Sequence, residues 1–205
     1  MTNNFYDAIY YKSNKKTVDN IIKKVYHILK KEGNMSSELP ENIVVELLSA
    51  CRIKISFAES CTCGLLASMI GNVPGASAVF DRGFVTYSNE AKIEYLGVKP
   101  STLDSHGAVS YETACEMAEG LRKKTGAGIC AATTGIAGPD GGTTLKPVGL
   151  IYVGICCFGV TNVYKLNLKF DRNTNREYTA CFTFFKIIEK LIEEIEKNDK
   201  NNYAE

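Results

Sequence analysis

The chain has 205 residues, of which 45% are hydrophobic and 23% charged, so it is long enough for one domain with a packed core and too short for two ordinary ones. Its 24 basic and 23 acidic side chains nearly cancel, which argues against a dedicated nucleic-acid-binding protein. No apolar run reaches the roughly 18–20 residues that cross a bilayer, and the N-terminal residues lack a secretory-signal pattern, so we expect a cytoplasmic protein without a membrane partner.

Residues 1–40 are predicted to form a helical extension followed by a linker. Apolar residues in the segment Lys15 to Lys31 recur at the spacing of one helix face, namely Val18, Ile21, Ile22, Val25 and Leu29. Gly33 and Asn34 end the pattern, and the MSSELP segment is typical of a linker. The simplest interpretation is a docked or oligomerising helix; the alternative is a basic helix on a membrane surface.

The remaining sequence alternates helices with strands, over residues 41–197, and ends in a predicted loose tail over 198–205. Helices are predicted over 41–51, 63–70, 89–96, 110–124 and 175–197. Strands are predicted over 54–58, 79–87, 128–134, 149–158 and 162–170, the last two as a hairpin around Gly159. This order predicts a single three-layer α/β/α domain with a mixed sheet, in addition to the N-terminal helix. Ligands of such folds bind at the loops beyond the strand ends, which directs attention to the loops 59–64, 87–92 and 133–142.

Ser60 lies where the first strand passes into a helix. A hydroxyl at this position either caps the helix or is free to act as a nucleophile, with the unpaired N–H groups of the first helical turn available to an oxyanion. A nucleophilic serine needs a base. His106 is one candidate, and Lys92, just after a buried strand, is another, although a single lysine is most often a solvated surface charge.

The segment 133–143 is rich in glycine and threonine and follows a predicted strand. It matches neither the phosphate-binding Walker loop nor the dinucleotide-binding fingerprint. It is either a long hairpin loop or a cradle for phosphate or ribose, and we favour the cradle.

The eight cysteines do not indicate a disulfide framework or a metal site. Most of them lie in apolar stretches, where a free cysteine acts as a small hydrophobic residue (Cys51, Cys115, Cys130, Cys156, Cys157 and Cys181). Cys61 and Cys63 lack the spacing and the histidine partners of a zinc site. We therefore expect no metal and no cofactor, and keep thiol chemistry at Cys61 or Cys63 as a minor alternative.

Four stretches together resemble the CinA C-terminal domain family, which includes stand-alone nicotinamide-nucleotide amidases: AESCTCG (58–64), NVPGASAVFDRGFVTYSNEAKIEYLGV (72–98), LDSHGAVS (103–110) and TGIAGPDGGTTLKPVG (134–149). The resemblance covers about residues 41–192. It implies hydrolysis of the carboxamide of nicotinamide mononucleotide to nicotinate mononucleotide and ammonia. It also implies a serine nucleophile, Ser60, with a lysine base, Lys92, assisted by Tyr87.

In this interpretation burial and neighbouring positive charge hold the Lys92 amine neutral, and Tyr87 relays the proton or orients the amine. Glu59 either positions Lys92 or ends its strand in solvent. The residues assigned to the substrate are Glu59, Cys61, Thr62, Asn89, Thr134, Gly135, Ala137, Gly138, Arg172 and Arg176, with one arginine facing the phosphate.

The chain departs from the family pattern at Cys63 and Phe170, where the family usually has glycine. We expect a pyridine mononucleotide as the small-molecule partner, no nucleic acid, and a homodimer or higher homo-oligomer. The alternative function is a non-catalytic nucleotide-binding module that acts through protein partners.

Overall fold

The computed structural model of the chain describes residue 20 and residues 39–202. The predicted N-terminal helix and its linker therefore lie outside the described residues, apart from Asn20, which is helical. The structure thus tests the predictions made for residues 41–197 and part of the predicted tail.

The centre of the domain is a five-stranded mixed sheet. Its strands are β1 (Ile55–Glu59), β2 (Phe80–Val85), β3 (Ile129–Gly135), β4 (Leu150–Cys157) and β5 (Val160–Asn167), in the spatial order β2-β1-β3-β4-β5. Strand β1 pairs in parallel with β2 and β3, whereas β3–β4 and β4–β5 are antiparallel. All residues of β1 and nearly all of β3 are buried, as expected for central strands that are covered on both faces.

Helices cover both faces of this sheet, so the predicted three-layer α/β/α fold is confirmed. The helices are α1 (Pro40–Cys51), α2 (Leu65–Gly71), α3 (Asn89–Leu96), α4 (Pro100–His106), α5 (Tyr111–Thr125) and α6 (Arg172–Asn202). Helices α1, α2 and α6 enclose one core, in which Phe57 packs against Phe80 and Phe184. Helices α3, α4 and α5 enclose a second core that includes Leu96, Met117 and Leu121.

The boundaries differ from the sequence prediction at three helices. Helix α4 was not predicted. Helix α2 begins at Leu65 rather than 63, because residues 61–64 form a turn. Helix α6 begins at Arg172 rather than 175, because the carboxylate of Asp171 accepts hydrogen bonds from the N–H groups of Asn173 and Thr174 and caps the helix. It continues to Asn202, five residues into the predicted tail.

Replacing Gly120 by alanine is expected to destabilise the domain. Gly120 lies on α5 where it crosses the end of α3, and a Cβ atom there would lie 1.7 Å from the carbonyl oxygen of Leu96. Overpacking of this kind costs about 1–3 kcal/mol or more, which outweighs the gain of about 1 kcal/mol in helix propensity. Denaturant unfolding measures the loss. The matched control is Gly71→Ala, because nothing lies within 4 Å of the added atom; equal stability of the Gly120→Ala variant and the wild type would refute this explanation.

Candidate active site

The carboxyl ends of β1, β2 and β3 meet at one edge of the sheet, because these three strands are parallel neighbours. The loops that follow them carry Ser60, Tyr87 and the glycine-rich segment. The N-terminus of α6, with Arg172 and Arg176, comes to the same edge, since both arginines donate hydrogen bonds to these loops. The three loops singled out by the sequence thus form one site.

Ser60 is the first residue after β1, and its side chain is free of a capping role. Its N–H donates to the carbonyl of Thr133 (3.0 Å), which holds the turn against β3. Glu59 caps α2 instead: its buried carboxylate accepts hydrogen bonds from the N–H groups of Leu66 (3.1 Å) and Ala67 (2.9 Å). The prediction that Glu59 ends its strand in solvent is therefore wrong, and the hydrogen bonds of its carboxylate go to α2 rather than to Lys92.

Lys92 reaches Ser60 from the neighbouring loop. Its side chain is 1% exposed, and its Nζ lies 3.1 Å from Ser60 Oγ. The amine also donates to the carbonyl oxygens of Thr86 (2.9 Å) and Tyr87 (3.0 Å), and lies 3.4 Å from that of Ser88. The Ser88 hydroxyl accepts from the Ala91 N–H and caps α3, which places Lys92 in the first turns of that helix. Lys92 is therefore not a solvated surface charge.

The surroundings of Lys92 favour the uncharged amine. Burial lowers the pKa of Lys92, while the charge of Glu90, and that of Cys61 if its thiol were ionised, act in the opposite direction. The positive end of the α3 dipole also disfavours a cation here. A neighbouring positive charge, expected from the sequence, is not the cause. A neutral amine that gives its two N–H groups to Thr86 and Tyr87 keeps its lone pair for the Ser60 hydroxyl.

The turn after Ser60 presents main-chain donors. Among the described residues, the N–H groups of Cys61 and Thr62 have no backbone carbonyl as a partner, whereas the N–H of Cys63 donates to the carbonyl of Ser60 (3.2 Å). Free N–H groups directly after a nucleophile are the donors that an oxyanion requires.

Tyr87 contributes to this site through its main chain. Its carbonyl holds the Lys92 amine, but its side chain is 57% exposed and its hydroxyl lies 3.5 Å from an Arg172 nitrogen. In the part of the chain that the structure describes, the hydroxyl contacts neither Ser60 nor Lys92. Tyr87 thus orients the amine by its carbonyl, and its side chain borders the site beside Arg172.

Hydrogen bonds from α6 hold the glycine-rich loop after β3 in place. Arg172 donates to the carbonyl of Gly138 (2.7 Å), and the buried Asn175 donates to that of Ala137 (3.0 Å). Two other residues assigned to the substrate have structural roles. The Thr134 hydroxyl donates to the carbonyl of Ala108, and a Cβ atom on Gly135 would lie 2.8 Å from the Ile151 backbone.

A hydrogen bond between Arg176 and Thr62 holds the turn after Ser60 against α6. The Thr62 side chain is fully buried, its hydroxyl is 2.7 Å from that of Thr133, and its carbonyl accepts from Arg176 (2.9 Å). The Nε of Arg176 is buried and has no hydrogen-bond partner among the described residues.

Asn89, which was also assigned to the substrate, is exposed at the start of α3. The sequence analysis assigned no role in the site to Thr86, Thr133 or Asn175. Their positions at the ends of strands and near the start of a helix were the only indication that they lie at this edge of the sheet.

The two cysteines of the turn differ in environment. Cys61 is buried, and burial raises the pKa of its thiol to about 12, so it is not a thiolate near neutral pH. Cys63 is exposed and has a φ of 52°, in the left-handed region. The glycine that the family usually has here is the residue that adopts this conformation without strain.

We expect a Cys63→Gly variant to be as stable as the wild type or up to about 1 kcal/mol more stable, because relief of the left-handed strain offsets the greater freedom of glycine in the unfolded chain. A Cys63→Val variant, with a β-branched side chain, should be destabilised. Thermal unfolding of the three proteins tests this order, and the reverse order would contradict it.

Phe170, the second departure from the family pattern, leaves Arg172 in place. The side-chain amide of Asn175 accepts from the N–H of Phe170 and donates to its carbonyl, so the backbone before α6 is fixed. The aromatic ring itself is 53% exposed.

Two kinds of feature are absent from the described residues. No group of three or more histidine, cysteine or carboxylate side chains among them is placed to hold a metal ion. Within residues 39–202, no helix has the length and apolarity to cross a membrane.

Comparison with known proteins decides the family. The sequence model of the family described as CinA C-terminal domain matches residues 15–191. The chain belongs to the CinA C-terminal domain family. This match reaches further toward the N-terminus than the motifs of the sequence analysis, which began near residue 41, and it includes the predicted N-terminal helix.

Relatives of the CinA domain agree with this assignment. A competence-damage inducible protein of Clostridium perfringens is 50% identical over 78% of this chain, and a CinA-like protein of Kosmotoga olearia is 54% identical over 72%. The chain spans only 38% and 36% of the length of these two relatives. Among solved structures, the competence/damage inducible protein CihA from Agrobacterium tumefaciens matches with a TM-score of 0.72 and 37% identity, over 74% of this chain and 93% of that protein. A CinA superfamily protein from Klebsiella pneumoniae matches with a TM-score of 0.73 and 32% identity, over 75% and 96%.

Proposed function

We propose that this CinA domain is a serine-lysine amidohydrolase that converts nicotinamide mononucleotide and water to nicotinate mononucleotide and ammonia. The observation that carries the proposal is the 3.1 Å contact between the buried Lys92 amine and the Ser60 hydroxyl. An amine with a lowered pKa beside a free hydroxyl is the arrangement that activates a serine in the absence of histidine.

The first half of the reaction acylates Ser60. The Lys92 amine takes the proton of the hydroxyl, and Ser60 Oγ forms a bond to the carboxamide carbon. The carbonyl oxygen becomes an oxyanion, which the N–H groups of Cys61 and Thr62 stabilise, at about 3–4 kcal/mol for a well-placed donor. The ammonium of Lys92 then returns its proton to the amide nitrogen as the C–N bond breaks, so that ammonia leaves and the acyl group stays on Ser60.

The second half releases the acid. Lys92, again uncharged, removes a proton from a water molecule, which attacks the acyl carbon. Collapse of the second tetrahedral intermediate breaks the bond to Ser60 Oγ, and the proton on Lys92 passes to that oxygen. The carboxylic acid product loses its proton to solvent and departs as nicotinate, and the enzyme returns to its starting protonation state.

The nucleotide part of the substrate would lie between the glycine-rich loop and the start of α6. Arg172 donates to this loop and Arg176 donates to the turn after Ser60, and each retains N–H groups beyond these contacts, so phosphate can bind there. Tyr87, next to Arg172, borders the same space.

Ammonia release from nicotinamide mononucleotide tests the proposal, with the riboside, the dinucleotide and free nicotinamide as comparison substrates. We expect turnover of the mononucleotide, with stoichiometric nicotinate mononucleotide. Binding of the mononucleotide without ammonia release would support the non-catalytic nucleotide-binding module instead.

A further inference from the structure

An exposed apolar surface lies on α6 and on Phe170 just before it. Its members are the exposed aromatic side chains of Phe170, Tyr178 and Phe185, which we call the α6 aromatic stripe; they are 53%, 47% and 40% exposed. The rings of Phe170 and Tyr178 are in contact, with centroids 6.1 Å apart. Tyr178 and Phe185 are seven residues apart and share one face of the helix. Three neighbouring exposed aromatic residues mark a place where another apolar surface docks.

The chain enters the described domain through α1, which packs against α6. Leu39, the first residue of the continuous part, is 57% exposed, and Glu41 follows in the first turn of α1. Burial, and after it the charge of Glu41, raises the pKa of the Cys181 thiol, which lies on α6 between Tyr178 and Phe185. Residues 1–38 therefore leave the domain from the helix that packs beside the one carrying the stripe.

The carboxylate of Glu41 also lacks a partner. Glu41 is 5% exposed, and its Oε2 is buried without a hydrogen bond to any described residue. A buried carboxylate oxygen is normally paired. Residues 1–38 contain seven lysines and four acidic residues, a net charge of +3, and so provide the complementary charge.

We infer that the N-terminal segment of this chain, through the apolar face of its predicted helix over 15–31, docks on the α6 aromatic stripe of the same molecule. The apolar residues of that face are spaced to match an apolar surface on a helix. The intervening residues 32–38 extend over about 25 Å at most, enough to reach from the start of α1 to the neighbouring helix α6. The family match begins at residue 15, the first residue of the predicted helix, so this segment belongs to the domain.

The tether favours this occupant over a second copy of the chain. A segment joined by a short linker is present at an effective concentration in the millimolar range, far above that of free copies in solution. The inference is independent of the proposed amidase activity, since the stripe includes none of the residues that act on the amide.

Limited trypsin digestion of the full chain tests this docking, because the predicted helix carries six lysines from Lys15 to Lys31. The Val25→Asp variant places a charge on the apolar face of the segment, and the Tyr178→Ser/Phe185→Ser variant removes two side chains of the stripe. We expect each to raise the rate of cleavage between residues 15 and 31 by about tenfold, the effect of losing about 1.4 kcal/mol of docking free energy.

Matched controls separate docking from general loosening. Asn20→Asp adds the same charge at a position outside the apolar face of the predicted helix, and Tyr111→Ser removes an aromatic side chain that is 52% exposed on α5. Both should be cleaved at the wild-type rate. The Val25→Asp variant leaves the described domain unaltered, so its result stands even if the stripe variant folds poorly.

Equal cleavage of wild type and Val25→Asp would overturn the inference. Light scattering measures the oligomeric state of the same proteins. If the Tyr178→Ser/Phe185→Ser variant has a lower oligomeric state than the wild type, and its lysines between residues 15 and 31 are cleaved at the wild-type rate, the stripe is an interface between copies and the inference fails.

Discussion

Replacing Ser60 by alanine is expected to lower the rate of ammonia release from nicotinamide mononucleotide by about 10³-fold or more, because the variant lacks the hydroxyl that we propose forms the acyl-enzyme. The fold should be unaffected, since among the described residues the Ser60 hydroxyl is hydrogen-bonded only to the Lys92 amine, while its backbone N–H holds the turn. The mononucleotide should still bind. Steady-state kinetics and a binding measurement on the same variant check both expectations.

The matched control for this variant is Ser68→Ala, which removes a hydroxyl from an exposed position on α2 in the same segment. It should retain wild-type activity. Turnover by Ser60→Ala within a few fold of the wild type would show that Ser60 is not the nucleophile.

Replacing Lys92 by methionine is expected to lower the rate by about 10²–10⁴-fold, the usual contribution of a positioned base. Methionine matches much of the apolar stem but has no lone pair of sufficient basicity. The Lys92→Arg variant should be equally inactive, because a guanidinium keeps the positive charge but cannot accept a proton near neutral pH. Adding Ser60→Ala to Lys92→Met should cause little further loss, since the two side chains act in one step.

The Lys99→Met variant is the control, because Lys99 is exposed and pairs at the surface with Glu116. Activity of Lys92→Arg close to that of the wild type would contradict a role as base and would assign Lys92 a role as a fixed positive charge.

Protonation of the Lys92 amine makes both activity and stability depend on pH. The amine must be uncharged to accept the Ser60 proton, so the rate should rise with pH through the pKa of Lys92, and this pKa lies below the ordinary lysine value. Between these two values the unfolded chain binds a proton at Lys92 that the folded chain does not bind. Stability therefore also rises with pH in that window, and this contribution should vanish in Lys92→Met.

The sequence predicted the architecture well because β1, β3 and β4 are strongly apolar and glycine follows several elements. The residues alone made Ser60 a candidate nucleophile and left His106 and Lys92 as candidate bases, and the resemblance to the family selected Lys92. Helix α3 was predicted at its observed bounds because Ser88 caps it and Gly97 follows it.

Other features depended on contacts that no local pattern encodes. The capping of α2 by Glu59 requires the chain to turn back after residue 64, so the carboxylate was assigned to substrate or solvent. Thr134 and Gly135 lie in a motif attributed to the substrate, but their side-chain positions are set by Ala108 and Ile151. The three carbonyl oxygens around Lys92 are main-chain groups, which the sequence does not reveal.

The pKa of the Lys92 amine, measured by nitrogen NMR on lysine-labelled protein and assigned with Lys92→Met, tests the central claim most directly. The account predicts titration well below the ordinary lysine value of about 10.4, in step with the rise in activity. Titration at or above that value would mean that the amine beside Ser60 is a stable cation, and it would contradict its role as the base.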